Sequence, residues 1–362
     1  MRLLICAGGT GGGVYPALAV LDTLKSENPE LLWVGGEGGM EAELVQRQGI
    51  PYDSIPAAGV HGVGIRTLPK NIIKLMRGIF ASRKIMRKFK PDALFFTGGY
   101  VAVPMAIAGI RIPSLLYVPD IEPGLALKAL SWFADKITVS APISAAYFSR
   151  IDRIVGTGYP TRTDLAQWDK ASACEKLGLD AEKPTLLVFG GSKGARSINN
   201  AVLANLPDLL ERTQIVHISG KLDWVTVQNA RNALKRNQAK KYRIFDYLHE
   251  EMGAALASAD LVVSRAGASS LGEFPLFGLP ALLVPYPYAW RYQKVNAEYL
   301  QEKGAAMMVR DETLEERLVP LVDELLENPQ KLEAMRRAMK EIARPNAAEN
   351  IAVELLALAR KR

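Results

Sequence analysis

The sequence predicts an α/β protein made of two Rossmann-like domains, each a doubly wound parallel sheet. Three observations predict it. Short apolar runs alternate with longer amphipathic stretches along the whole chain. Each half opens on a strand, a glycine loop and a helix. The 362 residues suit two domains at roughly 100–200 residues apiece.

In the first half, residues 3–6, 31–34, 93–96 and 114–118 read as strands, and 137–140 and 153–155 extend the sheet. In the second half the strands are 185–189, 214–218, 242–245, 261–264 and 281–284. Helix-like segments lie between them, which implies helices on both faces of parallel sheets. The first strand runs into Ala7-Gly8-Gly9-Thr10-Gly11-Gly12-Gly13 and a helix from about Pro16. Strand 185–189 runs into Gly190-Gly191-Ser192-Lys193-Gly194 and a helix from about Ala195. A hinge is expected near 156–164, with domains 1–160 and 161–345 and a last helix, 346–362, crossing back to the first.

Hydrophobic residues make up 49% and charged residues 23%, which excludes a disordered chain. Cys6 and Cys174 form no CxxC pair, and His61, His217 and His249 stand far apart, so no metal site is expected. The apolar run at the N-terminus is too short for a signal peptide. The longest uncharged stretch, 93–110, is broken by Gly98, Gly99, Pro104 and Gly109 and reads as strand, loop and helix, not a membrane span. A cytosolic chain is expected, with attachment to a membrane surface left open.

The net charge of +7 is unevenly spread. Residues 1–160 carry 17 Lys and Arg against 12 Asp and Glu; the remainder carries 28 against 26. Between Asp53 and Asp92 lie nine cations, Lys70 and Lys74 among them, and no acid. Within this stretch Ile72, Met76 and Ile79 share one helix face. One reading is a patch that docks on an anionic membrane surface; the other is a core-facing helix with a solvated basic side. Nucleic-acid binding is disfavoured, because aromatic residues barely interleave with the charge.

A glycine loop feeding a helix N-terminus presents backbone N–H groups and a partial positive charge, which suits a phosphate. The alternative is a tight strand-to-helix turn. The first loop lacks a dinucleotide fingerprint and the second lacks the P-loop order. In Ser264-Arg265-Ala266-Gly267-Ala268-Ser269-Ser270-Leu271-Gly272-Glu273, hydroxyl residues at a helix start suit a diphosphate, and the carboxylate suits ribose hydroxyls. There the alternative is capping by Ser269 and Ser270. The aromatic run 286–292 either stacks on a sugar or packs a loop.

The motifs Gly8-Gly9-Thr10-Gly11-Gly12 with Pro16-Ala17-Leu18-Ala19, Met40-Glu41-Ala42-Glu43-Leu44-Val45 and Gly98-Gly99-Tyr100-Val101 stand in the first half. Gly190-Gly191-Ser192-Lys193-Gly194-Ala195, and Arg265-Ala266-Gly267-Ala268 with Glu273 and Gly278-Leu279-Pro280-Ala281, stand in the second. Together, nearly end to end, they resemble the MurG family of peptidoglycan N-acetylglucosaminyltransferases, in glycosyltransferase family 28. The resemblance implies a GT-B fold with a cleft between its domains. It implies UDP-N-acetylglucosamine as donor, held mainly by the second half, and no metal or other cofactor. The implied acceptor is a muramyl-pentapeptide on a polyprenyl diphosphate, and the reaction inverts the anomeric centre. It further implies a peripheral protein at the cytoplasmic face of the plasma membrane, with an anionic membrane surface and other cell-wall synthesis proteins as partners.

Carried over by position, Arg162 and Ser192 meet the donor diphosphate, and Leu248, His249 and Met252 lie near uracil. Ala268, Ser269 and Ser270 lie near the diphosphate and sugar, and Glu273 holds the ribose. Gln293 reaches the sugar, supported by Asn296. Thr10, Gly11, Gly12, Gly13 and Tyr100 face the acceptor.

Three departures stand out. Gly13 occupies the place of the family's His, Val118-Pro119-Asp120 replaces Glu-Gln-Asn, and Tyr292 replaces the first of two glutamines. Gly13 supplies no base, so Asp120 and then Glu122 are the candidates; the alternative for Asp120 is a turn residue between Pro119 and Pro123. The charge developing on UDP is met by Arg162 and the serines, while Arg265 either joins them or makes a structural ion pair. A relative with a changed donor or acceptor, or a non-catalytic sensor or scaffold that binds nucleotide-sugar or lipid, remains open beside the transferase. An NAD-dependent dehydrogenase fits poorly with two loops in separate halves.

Overall fold

The computed structural model describes residues 1–8, 11–39, 41–59, 67–288 and 292–360. The chain divides into two compact units, Met1–Thr161 with Pro345–Arg362, and Arg162–Arg344. Thr10 lies outside the described residues, as do Gly9, Met40, His61, Arg66 and Trp290.

The first unit holds a seven-stranded parallel sheet. Its strands are β1 (Arg2–Ala7), β2 (Glu30–Gly36), β3 (Tyr52–Ile55), β4 (Ala93–Gly98), β5 (Ser114–Val118), β6 (Lys136–Val139) and β7 (Ile154–Gly156). Their order is β3-β2-β1-β4-β5-β6-β7. In β1, Leu3, Leu4, Ile5 and Cys6 are wholly buried, as strands covered on both faces must be. The sequence reading missed β3, an edge strand whose exposed Asp53 and Ser54 break any apolar run. Strand order reverses at β1 and β4. The carboxyl ends of the strands at such a reversal are where sheets of this kind bind ligands.

The first helix, Gly11–Thr23, starts five residues before the expected Pro16. Pro16 lies inside it, where the missing N–H forfeits one hydrogen bond to the preceding turn. The helix Ala347–Ala359 packs on Gly11–Thr23 and over β4 and β5, and Lys136 pairs with Glu354 at 3.5 Å.

The second unit holds six parallel strands: β8 (Thr185–Phe189), β9 (Gln214–Ile218), β10 (Tyr242–Phe245), β11 (Leu261–Ser264), β12 (Ala281–Leu283) and β13 (Ala306–Met308). Their order is β10-β9-β8-β11-β12-β13, so the reversal falls at β8 and β11. Three-residue β13 is too short to register in a sequence pattern. Its core gathers on Leu186, Val188, Ile198, Ile215, Val263 and Leu318, all buried.

After β11 the structure departs from expectation. No helix begins at Ser269. A 3-10 turn, Ala268–Leu271, leads into a five-residue helix, Glu273–Phe277, stopped by Gly278 at φ 60°. Neither serine caps an α-helix; the Ser270 hydroxyl instead donates to the Gly267 carbonyl at 2.6 Å. Among the described residues no helix is long and apolar enough to cross a membrane.

Candidate functional site

In the first unit the loops after β1, β4 and β5 come together at the strand-order reversal. Gly11, Gly12 and Gly13 form the first turn of their helix, so their N–H groups have no carbonyl partner within it. The Thr97 hydroxyl, buried at the end of β4, donates to the Gly13 carbonyl at 2.6 Å. A Cβ at Gly13 would stand 3.2 Å from the Thr97 carbonyl oxygen. Gly99 adopts φ 83°, and a Cβ there would lie 2.5 Å from the Gly8 carbonyl, so backbone meets backbone and glycine is required. Tyr100, next to it, is exposed.

Beyond β5, the buried Tyr117 hydroxyl lies 2.7 Å from Ser140, whose hydroxyl donates to the Pro119 carbonyl at 2.7 Å. That chain fixes the loop carrying both candidate bases. Asp120 is half-buried. Its charge, after burial itself, helps push the Tyr117 hydroxyl well up. Glu122 is only 6% exposed and stands 3.6 Å from Lys128. Thr97 and Ser140 escaped the sequence reading, since each acts on a residue far along the chain.

In the second unit a constellation gathers around Glu273. Burial pushes its carboxyl up to about 7, against Arg162 and a hydrogen bond from Ser269 that both favour the charged form. The residue is half-buried overall while its carboxyl group is enclosed by protein, and the enclosed carboxyl governs its protonation. Arg162 donates from Nη2 to the His249 carbonyl at 3.0 Å and stands 3.6 Å from Asp164. The exposed His249 ring lies 4.6 Å from that of Tyr247, beside buried Leu248 and half-buried Met252. Ser192 is exposed in the loop after β8. That loop bends through Gly191 and Gly194, at φ 92° and 77°; a Cβ on Gly194 would lie 2.1 Å from the Ser219 carbonyl.

Gln293 is engaged by its own loop: its Oε1 accepts from the Tyr286 N–H at 2.8 Å. Asn296 is wholly buried and donates to the Ala266 carbonyl at 3.1 Å, tying the helix Tyr292–Glu302 to the segment after β11. Arg265 takes the structural option. It is 8% exposed, pairs with Asp311, and donates to the Val284 carbonyl at 3.0 Å and the Ser197 hydroxyl at 2.8 Å. Its guanidinium also lies over the Tyr286 ring, 5.2 Å from the centroid.

Behind these loops runs a buried chain that sequence reasoning did not find. His217 Nδ1 lies 2.7 Å from the Tyr242 hydroxyl and Nε2 lies 2.9 Å from Asn199 Oδ1. Asn199 then donates to the Ser219 carbonyl and to Asp223, at 2.9 Å each. Burial pushes the imidazole down to about 3, so it stays neutral.

The basic stretch forms the helix Leu68–Phe89. Gly78 faces inward, against the Pro56 carbonyl and Pro104. At 100° per residue the opposite face carries Ile72, Ile73, Met76 and Phe80, all exposed, with Ile73 at 60% and Phe80 at 63%. Ile79 sits on the flank and is half-buried. The face chosen from spacing is therefore turned by about an eighth of a revolution. Lys70 and Lys74 are exposed, but at about 80° and about 40° from Gly78 they lie away from the exposed apolar face.

Among known proteins, the Glycosyltransferase family 28 N-terminal domain matches residues 3–139 and the Glycosyltransferase family 28 C-terminal domain matches residues 185–351. A UDP-N-acetylglucosamine–N-acetylmuramyl-(pentapeptide) pyrophosphoryl-undecaprenol N-acetylglucosamine transferase of Roseiflexus sp. (strain RS-1) is 37% identical, over 100% of this chain and 96% of its own. A transferase of the same description from Listeria welshimeri is 36% identical over 99% of each chain. The crystal structure of Acinetobacter baumannii MurG is similar at a TM-score of 0.76 and 27% identity, over 98% of this chain and 99% of its own. The UDP-GlcNAc 2-epimerase of Neisseria meningitidis, bound to UDP-GlcNAc, reaches a TM-score of 0.69 at 14% identity, over 99% of this chain and 100% of its own, a likeness of fold alone.

Proposed function

The chain belongs to glycosyltransferase family 28, in its MurG branch, and from that premise we propose that it moves N-acetylglucosamine from UDP-N-acetylglucosamine to a lipid-linked muramyl-pentapeptide. The acceptor sugar is carried on a polyprenyl diphosphate, and transfer inverts the anomeric centre. The observation that carries the reading is identity of 37% with such a transferase across the whole chain.

The second unit takes the donor. Glu273 accepts the ribose hydroxyls, and Leu248, His249 and Met252 receive uracil. Arg162 and Ser192 meet the diphosphate, with Ala268, Ser269 and Ser270 behind it. Gln293 reaches the sugar once released from Tyr286, and Asn296 holds that wall. Arg162 answers the negative charge that grows on UDP as the bond breaks, the part a divalent cation plays in other transferases. The first unit takes the acceptor, with its diphosphate on the amide groups of Gly11, Gly12 and Gly13, beside Thr10 and Tyr100. Asp120 removes the proton from the attacking hydroxyl. Glu122 ranks second, since Lys128 already engages it.

The acceptor's polyprenyl chain requires a membrane, and the exposed face of the helix Leu68–Phe89 suits an anionic one at the cytoplasmic side. Phe80→Glu with Ile73→Glu is expected to weaken sedimentation with phosphatidylglycerol vesicles by about tenfold or more, since each loses apolar insertion and adds repulsion. Unchanged sedimentation removes this face from the membrane contact.

A protonated Glu273 keeps only one good accepting oxygen and must itself donate, so it cannot take both ribose hydroxyls, and affinity for UDP-N-acetylglucosamine should rise with pH. With the carboxyl near 7, about a tenth of it is ionised at pH 6 and nine-tenths at pH 8, which predicts roughly tenfold tighter binding at pH 8. The nucleotide-sugar is a better probe than UDP, whose terminal phosphate itself titrates nearby. Glu273→Gln should flatten the dependence at the weak limit; a flat profile in the unaltered protein removes Glu273 from the ribose. Stability is the poorer readout. A raised carboxyl makes the fold less stable as pH climbs from about 4.5 to about 7. A depressed His217 makes it more stable as pH climbs from about 3 to about 6.5, so the two oppose each other where the windows overlap.

Purified protein, UDP-N-acetylglucosamine and the lipid-linked acceptor test the function directly, with the disaccharide product read by mass. Folded protein that binds the nucleotide-sugar and yields no product at any pH is a binding protein instead. Product from a different donor sugar alone marks a changed specificity.

A further inference from the structure

The motif Met40-Glu41-Ala42-Glu43-Leu44-Val45 has no task in the reaction described so far. Glu41 is nevertheless only 1% exposed, a rare state for a carboxylate. It opens the helix Glu41–Arg47, and its Oε1 accepts the Gly36 N–H at the end of β2, at 2.9 Å. Glycines make the room for it. A Cβ on Gly8 would lie 2.4 Å from that oxygen, one on Gly39 2.3 Å and one on Gly35 2.7 Å. Real side chains do not approach so closely, so glycine alone fits these three positions while Glu41 is in place.

On Gly8 the carboxylate works against a second wall, since Gly99 presses on the Gly8 carbonyl as described above. Gly8 is therefore gripped between Glu41, from the helix after β2, and the turn after β4. The Trp33 indole N–H adds a third hold, donating to the Ala7 carbonyl at 2.9 Å. Three residues further on, Gly11 opens the helix Gly11–Thr23.

We infer that Glu41 is a positioning residue of the acceptor site. Its buried carboxylate clasps the turn after β2 to the base of the loop after β1, and so sets where the amides of Gly11, Gly12 and Gly13 meet the acceptor diphosphate. The inference rests on the proposed reading of that loop as the acceptor's diphosphate site. A carboxylate suits the task because it only accepts, and the Gly36 N–H is a donor while Gly8 and Gly39 offer bare Cα.

The test combines steady-state transfer to the lipid-linked acceptor with calorimetry of UDP binding. Glu41→Ala should lower acceptor kcat/KM by about 100-fold, the loss expected when a reacting group is misplaced by about 1 Å, with UDP affinity unchanged. Glu41→Asp keeps the charge but withdraws it by one methylene, and should lose about tenfold on the same ground. Glu41→Gln keeps reach and an accepting oxygen, and should recover most of the activity. Gly39→Ala should be as damaging as Glu41→Ala, yet add nothing to it in the double variant, because the three nearest atoms its Cβ would meet all belong to the Glu41 carboxyl group.

Acceptor kcat/KM within about twofold in both Glu41→Asp and Glu41→Ala overturns the inference, as does full additivity with Gly39→Ala. An equal fall in UDP affinity overturns it too, by marking general damage. Should the unaltered protein transfer nothing, the proposed function fails instead. The Gly39–Glu41 coupling, read by thermal unfolding, then still decides whether the clasp exists.

Discussion

Arg265→Ala is expected to lower the unfolding temperature of the second unit by roughly 6–20 °C. Its guanidinium is nearly buried and holds three partners at once: Asp311, the Ser197 hydroxyl and the Val284 carbonyl. With Arg265 itself they join four places in the unit: the end of β11, the segment after β12, the helix Arg196–Ala204 and the 3-10 turn Asp311–Thr313. Removing one partner of a buried pair leaves the other charge uncompensated, which costs about 3–5 kcal/mol. Each kcal/mol moves the transition of a unit this size by roughly 2–4 °C. Asp311→Ala should do similar damage, and the double variant should cost less than the sum of the two. Arg265→Lys should not rescue, since an ammonium lacks the planar fork that reaches all three acceptors. Scanning calorimetry reads the shift, with the second unit identified as the transition that UDP raises. A shift below about 2 °C would mean that the pair is solvated and of little weight. Donor binding should weaken as well, because the guanidinium also lies against Tyr286, whose N–H holds Gln293.

What the sequence made legible follows from how each element is stabilised. Strands such as β1, β5 and β8 are buried on both faces, so their residue types alone declare them. Edge strand β3 and three-residue β13 carry no such composition and stayed hidden. The glycine loops were legible because their use is steric and local. The residues that fix them were not. Thr97 reaches Gly13 across 84 positions, and Arg265 reaches Asp311 across 46, so no local pattern records either partnership. The expected helix at Ser269 failed for a local reason instead. Gly272, Pro275 and Gly278 crowd the segment with residues that interrupt a helix, and the serine hydroxyls turn inward to Gly267 and Glu273. Glu41 was visible as part of a motif, but the close approaches that mark its place are to glycines, which leave no chemical signature of a contact.

Asp120→Asn is expected to lower kcat by roughly 10²–10⁴-fold, the contribution of a positioned general base, while UDP binds as before. The argument starts from Gly13, which has no side chain to offer and little room for one beside the Thr97 carbonyl. Under the proposed function the base comes from a neighbouring loop, and the one after β5 carries two carboxylates. They differ in what they are committed to. Glu122 is buried and faces Lys128 in an ion pair, and moving it would strand a cation that also lies over the Tyr147 ring at 5.6 Å. Asp120 stays half-buried on a loop pinned through Ser140 and Tyr117, which gives a fixed origin with access to a ligand. The kinetic signature separates base from fold. Asp120→Asn should abolish the acidic limb of the kcat/KM profile and leave the acceptor KM within about threefold, because an amide keeps the shape while losing the proton acceptor. Glu122→Gln should instead raise the acceptor KM through a loosened loop and keep the acidic limb. Equal turnover in Asp120→Asn sinks its role, and the reverse pattern between the two variants hands the proton to Glu122.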